Sequence, residues 1–73
     1  MCMDIDLLQE AAESLYDALY PVLSDFLQQY GRDFVEQEEG EALLMLQPYA
    51  QEHQPDIPQK YKEAIFQEMG YSF

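Results

Sequence analysis

Between residues 5 and 30 the apolar side chains Ile5, Leu8, Ala12, Leu15, Leu19, Val22, Phe26 and Tyr30 recur at steps of 3, 4, 3, 4, 3, 4 and 4. Only an α-helix brings residues at that spacing onto one face, and the run amounts to about seven turns. The spacing predicts a helix over about residues 4–30, closed by Gly31, where a left-handed residue commonly ends a helix. Pro21 falls inside this run. It removes one backbone donor and its ring crowds the carbonyl of Asp17, yet the apolar phase passes through it. A helix kinked near Pro21 is therefore expected, with a break at Tyr20-Pro21 as the alternative.

The remainder of the chain also reads as helical. There is no Thr, Asn or Trp, and the β-branched residues are only Ile5, Val22, Val35, Ile57 and Ile65, so strand-forming content is thin. A second helical segment opens at Asp33, where Asp33-Phe34-Val35-Glu36 has the spacing of a capping box. Val35, Ala42, Leu43, Leu46, Tyr49 and Ala50 keep helical spacing beyond it, but Gly40 and Pro48 are poor interior residues, so one bent helix or two short ones satisfy the pattern equally. Gln54-Pro55-Asp56-Ile57-Pro58 reads as a connector. A last helix follows with Tyr61, Ile65, Phe66 and Met69 on one face and Gly70 at its end. The apolar tail Tyr71-Ser72-Phe73 is expected to dock back onto the body. No internal repeat is present, and the economical architecture is a single all-α domain over residues 1–73, a bundle of three to four helices.

Charge narrows the functional classes. Fifteen Asp and Glu against three Lys and Arg give a net charge of −12 in 73 residues, while 48% of the chain is hydrophobic and 14% aromatic. That apolar content is enough for a core, so the imbalance marks a folded acidic domain rather than disorder. A domain this small buries only about 60–65% of the surface that its unfolded chain exposes, which makes a partner or a second copy a reasonable expectation. Direct nucleic-acid binding needs cations to neutralise phosphates, and Arg32, Lys60 and Lys62 are the whole supply. An anionic membrane surface repels the chain for the same reason. The longest apolar run, Ala42 to Leu46, is far too short to span a bilayer. Met1-Cys2-Met3-Asp4-Ile5-Asp6 has neither the basic region nor the apolar stretch of a secretory signal, which points to the cytoplasm. Cys2, a lone cysteine near the terminus, reads as an incidental thiol.

No catalytic, cofactor or metal motif emerges. The carboxylates are not spaced as an EF-hand loop, and His53 has Ala50 where a di-iron bundle needs Glu, so no metal site is expected. His53 itself reads as a helix-end or surface residue. Ser14, Ser24 and Ser72 lack a nucleophile context, and a chain this small leaves little room for a cleft that excludes water, so no enzyme activity is expected.

On a helical wheel Asp6, Glu10, Glu13 and Asp17, at steps of 4, 3 and 4, fall opposite the Ile5-to-Tyr30 stripe. Successive carboxylates on such a row stand about 4.5–6 Å apart along the axis, similar to phosphates along one nucleic-acid strand. A row of acids opposite an apolar stripe is ordinarily a solvated face. Here, however, no Lys or Arg precedes Arg32, so the like charges are left to repel. A second cluster, Glu36, Glu38, Glu39 and Glu41, surrounds Gly40 and either extends the row or keeps a loop in solution. Among the six Tyr and four Phe, Tyr16 and Tyr20 flank the main stripe and are the expected interface anchors. Tyr71 is divided between that role and the core.

These features point to a protein-binding module that acts without chemistry by occupying a basic surface of a partner protein, one candidate being a nucleic-acid-binding enzyme. Nucleic-acid-mimic inhibitors of restriction or CRISPR enzymes are an analogy of size, charge and helicity only. Two alternatives stand beside it: an adaptor or homodimer that uses the apolar stripe for its contact, and an immunity protein or antitoxin that neutralises a basic nuclease.

Overall fold

The computed structural model describes residues 5–73; Cys2, the expected helix start at residue 4 and the side chain of Ile5 lie outside what it describes. Among the described residues the chain forms four α-helices, α1 (Ile5–Leu19), α2 (Asp25–Gln37), α3 (Glu39–His53) and α4 (Gln59–Met69), with one 3₁₀ turn at Tyr20–Val22 after α1. The all-α bundle read from the sequence is therefore what the chain adopts. No helix among these residues is long and apolar enough to cross a membrane.

The first helical run reaches Val22 and is interrupted at Pro21, but it does not continue to residue 30. Pro21 occupies the start of the 3₁₀ turn, where its missing N–H leaves no gap, and Leu23 N–H donates to the carbonyls of Leu19 (3.1 Å) and Tyr20 (3.2 Å). Leu23 and Ser24 are then extended. The Ser24 hydroxyl accepts from Leu27 N–H at 3.4 Å and caps a new helix. The chain thus breaks rather than kinks, as the alternative had it, but at Leu23-Ser24, just past Tyr20-Pro21. The consequence is a shift of register: after Leu19 the buried residues are Leu23 and Leu27, and Val22, Phe26 and Tyr30, expected in the stripe, are exposed.

Gly31 does end a helical stretch, now the first half of α2. Its dihedral angles, φ 70° and ψ 179°, belong to a region open only to glycine, and the helix resumes immediately after it. Because Asp33 lies within that resumed stretch, it lacks the extended conformation of a cap, and its carboxylate accepts no backbone N–H. The expected capping box does not form.

The next break falls at Glu38 (φ −130°, ψ 57°) rather than at Gly40, which is helical in the first turn of α3. Glu38 N–H donates to Phe34 O at 2.8 Å while its own carbonyl accepts from Ala42 N–H, so a single residue joins α2 to α3 without wasting backbone groups. Pro48 sits inside α3 on its exposed side, as does Leu44, whose carbonyl loses the N–H that proline lacks. Water can serve that carbonyl, and α3 stays one helix. Residues 54–58 connect to α4 as expected, and Gly70 (φ 80°) ends α4 with its N–H on Phe66 O at 2.8 Å.

α1 lies against all three other helices. Leu8, Ala11, Ala12, Leu15, Tyr16 and Leu19 are buried, a face wider than a single stripe, as a central helix requires. The largest side chains fully withdrawn from water are Leu15 and Leu19 from α1, Val35 from α2, Leu43 from α3 and Ile65 from α4. Each such residue contributes about 1.5–3 kcal/mol by burial. Ala11, Ala12, Ala42, Ala50 and Ala64 fill the positions between them, where small side chains let neighbouring helices approach. The tail closes one side of this core. Tyr71 is buried, and its hydroxyl donates to Leu43 O of α3 at 2.8 Å. Burial pushes its phenol up to about 12.

Candidate protein-binding surface

The four α1 carboxylates share one side of the helix, although not in equal environments. Asp6, Glu10 and Asp17 are exposed, whereas Glu13 is half-buried at the seam with α2. Arg32 crosses that seam: its Nη2 lies 3.1 Å from Glu13 Oε1 and 3.5 Å from Asp17 Oδ2. One turn further along α2, the Glu36 carbonyl accepts from Gln9 Nε2, one turn back along α1. Arg32 against residues 13 and 17, followed by Glu36 against residue 9, defines an antiparallel pairing of α1 with the second half of α2. By this pairing the Glu36 backbone comes beside Gln9, and the seam sets Glu13 and Asp17 against the guanidinium of Arg32, with Asp6 and Glu10 on the same side of α1. Arg32 brings one positive charge to Glu13 and Asp17 together, and it is itself 58% exposed.

On the other flank of α1, Tyr61 of α4 completes an open groove with Glu10, Glu13, Ser14, Asp17 and Arg32. The Lys60 ammonium rests 5.1 Å from the centre of the Tyr61 ring. Both ion pairs found among the described residues belong to Arg32. The sequence row is thus a real row in space, with one cation inside it that the wheel did not anticipate.

The second acidic cluster divides. Glu36 belongs to the seam just described. Glu38 forms the α2–α3 junction, and Glu39 and Glu41 sit in the first turn of α3, where negative charge favours the helix N-terminus. Glu38 and Glu41 are exposed and Glu39 is half-buried, so the cluster is a helix start rather than a loop.

Of the two expected tyrosine anchors, only Tyr20 is at the surface. Tyr16 is 4% exposed, and its hydroxyl donates to Gln28 O at 3.1 Å and Leu27 O at 3.3 Å, holding α2 onto α1. It is a core residue and presents nothing to a partner. Tyr20 packs against its edge with ring centres 5.8 Å apart. Besides Tyr20, the aromatic residues that reach solvent are Phe26, Tyr30 and Phe66, all three of which the periodicity assigned to apolar, core-facing stripes. Ser24-Asp25, a helix-start dipeptide placed just after Pro21, was the sequence signal for that change of register.

His53 lies exposed in the last turn of α3, a favourable position for a cation at a helix end. Among the described residues no group of three or more His, Cys, Asp or Glu side chains is placed to hold a metal ion. Comparison with protein-family models, with curated proteins and with solved structures finds no match to this chain.

Proposed function

We propose that the chain is a non-enzymatic binding module that offers the α1–α2 carboxylate seam to a basic, nucleic-acid-binding surface of a partner protein and inhibits that partner by occupying it. The observation that supports this reading is the acidic side of α1 itself: Glu10, Glu13 and Asp17 line one groove with Arg32, and the Glu36 backbone of α2 lies against Gln9 one turn back. Like charges held this close repel and weaken the fold, and a cationic counterpart turns that cost into attraction. Carboxylates along α1 at about 4.5–6 Å intervals follow the spacing of phosphates on one strand. An immunity protein or antitoxin would use the same surface and differ only in having a basic nuclease as its target. The adaptor alternative loses its contact surface in α1, because Leu8, Ala12, Leu15 and Leu19 are already covered by the chain's own helices.

The test is competition. A partner captured by the wild-type protein should release bound nucleic acid as the protein is added, and the variant E10K/E36K, which reverses two exposed positions on the seam, should fail to displace it. A partner that holds protein and nucleic acid together removes the occlusion reading.

A further inference from the structure

The shift of register at Pro21 leaves a row of aromatic rings outside the core. Phe26 and Tyr30 stand edge to face with centres 5.0 Å apart, and Tyr30 stacks on Phe34 at 4.5 Å. Tyr30 and Phe34 also wall an apolar cleft between α2 and α3, whose opposite side is Ala42, Met45 and Leu46. Phe26, 63% exposed, continues the row beyond the cleft, and Val22, before the break at Leu23-Ser24, is exposed as well. A continuous apolar surface of this kind on a small acidic domain marks a contact site.

The charged residues next to these positions in the chain are acidic and exposed: Asp25 precedes Phe26, Asp33 precedes Phe34, Glu38 follows Phe34 by one turn with its N–H on the Phe34 carbonyl, and Glu41 precedes Ala42. The cations are engaged elsewhere: Arg32 on Glu13 and Asp17, Lys60 over Tyr61, and Lys62 over Phe73. A second copy seated here would set a charge of −12 against another −12. The complementary occupant has an apolar face bordered by lysine or arginine. We propose that the exposed aromatic row of α2, at the mouth of this narrow α2–α3 cleft, receives a basic amphipathic helix of a partner protein, its apolar residues resting on Phe26, Tyr30 and Phe34 and its cations meeting Asp25, Asp33, Glu38 and Glu41. This contact is separate from the α1 carboxylates and does not depend on them.

The probe is a synthetic leucine–lysine amphipathic helix of roughly five turns carrying one tryptophan on its apolar face, set against a peptide of the same composition in scrambled order. The protein contains no tryptophan, so the fluorescence reports the peptide alone. The ordered peptide is expected to bind one to one with a blue-shifted emission, about tenfold tighter than the scrambled one. The F26S/Y30S variant should lose about tenfold in affinity while its circular dichroism is unchanged, since both side chains are exposed. Amide shifts in the wild type should change at Phe34, Ala42 and Met45. E10K/E36K should bind the ordered peptide nearly as well as wild type. Equal binding of both peptides, or full affinity in F26S/Y30S, overturns the proposal and leaves the α1–α2 seam untouched. Self-association of the peptide-free protein that F26S/Y30S abolishes assigns the cleft to a second copy and overturns it as well. If only E10K/E36K loses the peptide, the cleft is again rejected and the seam retained.

Discussion

Replacing Tyr71 by phenylalanine removes one hydroxyl and leaves the buried ring in place, so its effect follows from two observations. The hydroxyl donates to Leu43 O at 2.8 Å, and the phenol, 5% exposed as a residue, is pushed by burial up to about 12. Leu43 O lies within α3 and keeps its helical N–H partner, so the substitution orphans no acceptor, and the loss near neutral pH is about 0.5–1.5 kcal/mol. In alkali the sign reverses. A phenol raised from 10.0 to about 12 in the folded chain contributes stability that is fully present below pH 10 and lost as the pH rises towards 12. Two pK units correspond to roughly 2.7 kcal/mol lost by the wild type and not by Y71F. The stability curves of the two proteins should therefore cross near about pH 11, with wild type ahead below the crossing and Y71F ahead above it. The other five tyrosines are common to both proteins and cancel in the difference. Urea midpoints from far-ultraviolet circular dichroism between pH 7 and 11.5 measure it. A constant offset at every pH would refute the assignment of a buried, raised phenol at this position.

The two interior glycines should respond to alanine with opposite signs. G31A forces a side chain into φ 70°, ψ 179° and should destabilise by about 1–3 kcal/mol, although nothing stands within 4 Å of the added carbon. G40A lies in a helical turn with equally open surroundings and should stabilise by about 0.5–1 kcal/mol, read as a shift of the urea midpoint. Removing the Ser24 hydroxyl in S24A should cost about 0.5–1 kcal/mol, because its bond to Leu27 N–H is long, and exchange of the Leu27 amide should quicken. R32Q deletes two solvent-exposed ion pairs and should lower stability by under about 1 kcal/mol at low salt, an effect that disappears at about 0.5 M salt. An undiminished loss at high salt would mean that Arg32 acts by packing.

How much of this was legible in the sequence depended on whether local signals competed. Gly70, the 54–58 connector and the docking of Tyr71 followed from local chemistry and stand as read. The helix through Pro21 did not, because two phases coexist after Leu19. One runs through Val22, Phe26 and Tyr30, the other through Leu23 and Leu27, and the extended pair Leu23-Ser24 selects the second. Periodicity alone ranks them the wrong way round. Ser24 following Pro21 was the local cue that favours a fresh start. The acidic row of α1 was visible on a wheel, since it needs only the helix. Its meeting with Arg32 and Glu36 was not, because that depends on the antiparallel return of α2 after the break. Tyr16 was misread for a related reason: a central helix buries a wide face, and a tyrosine at the margin of a narrow stripe lies well inside a wide one.

The central claim is that the α1–α2 carboxylate seam meets a cationic protein surface. Its most direct measurement is the affinity of a captured partner for wild type and E10K/E36K across a salt series. The account predicts that wild-type affinity falls steeply as salt rises, and that E10K/E36K binds at least about tenfold more weakly at low salt with a shallower dependence. Affinity that holds through the series and survives both charge reversals would contradict it.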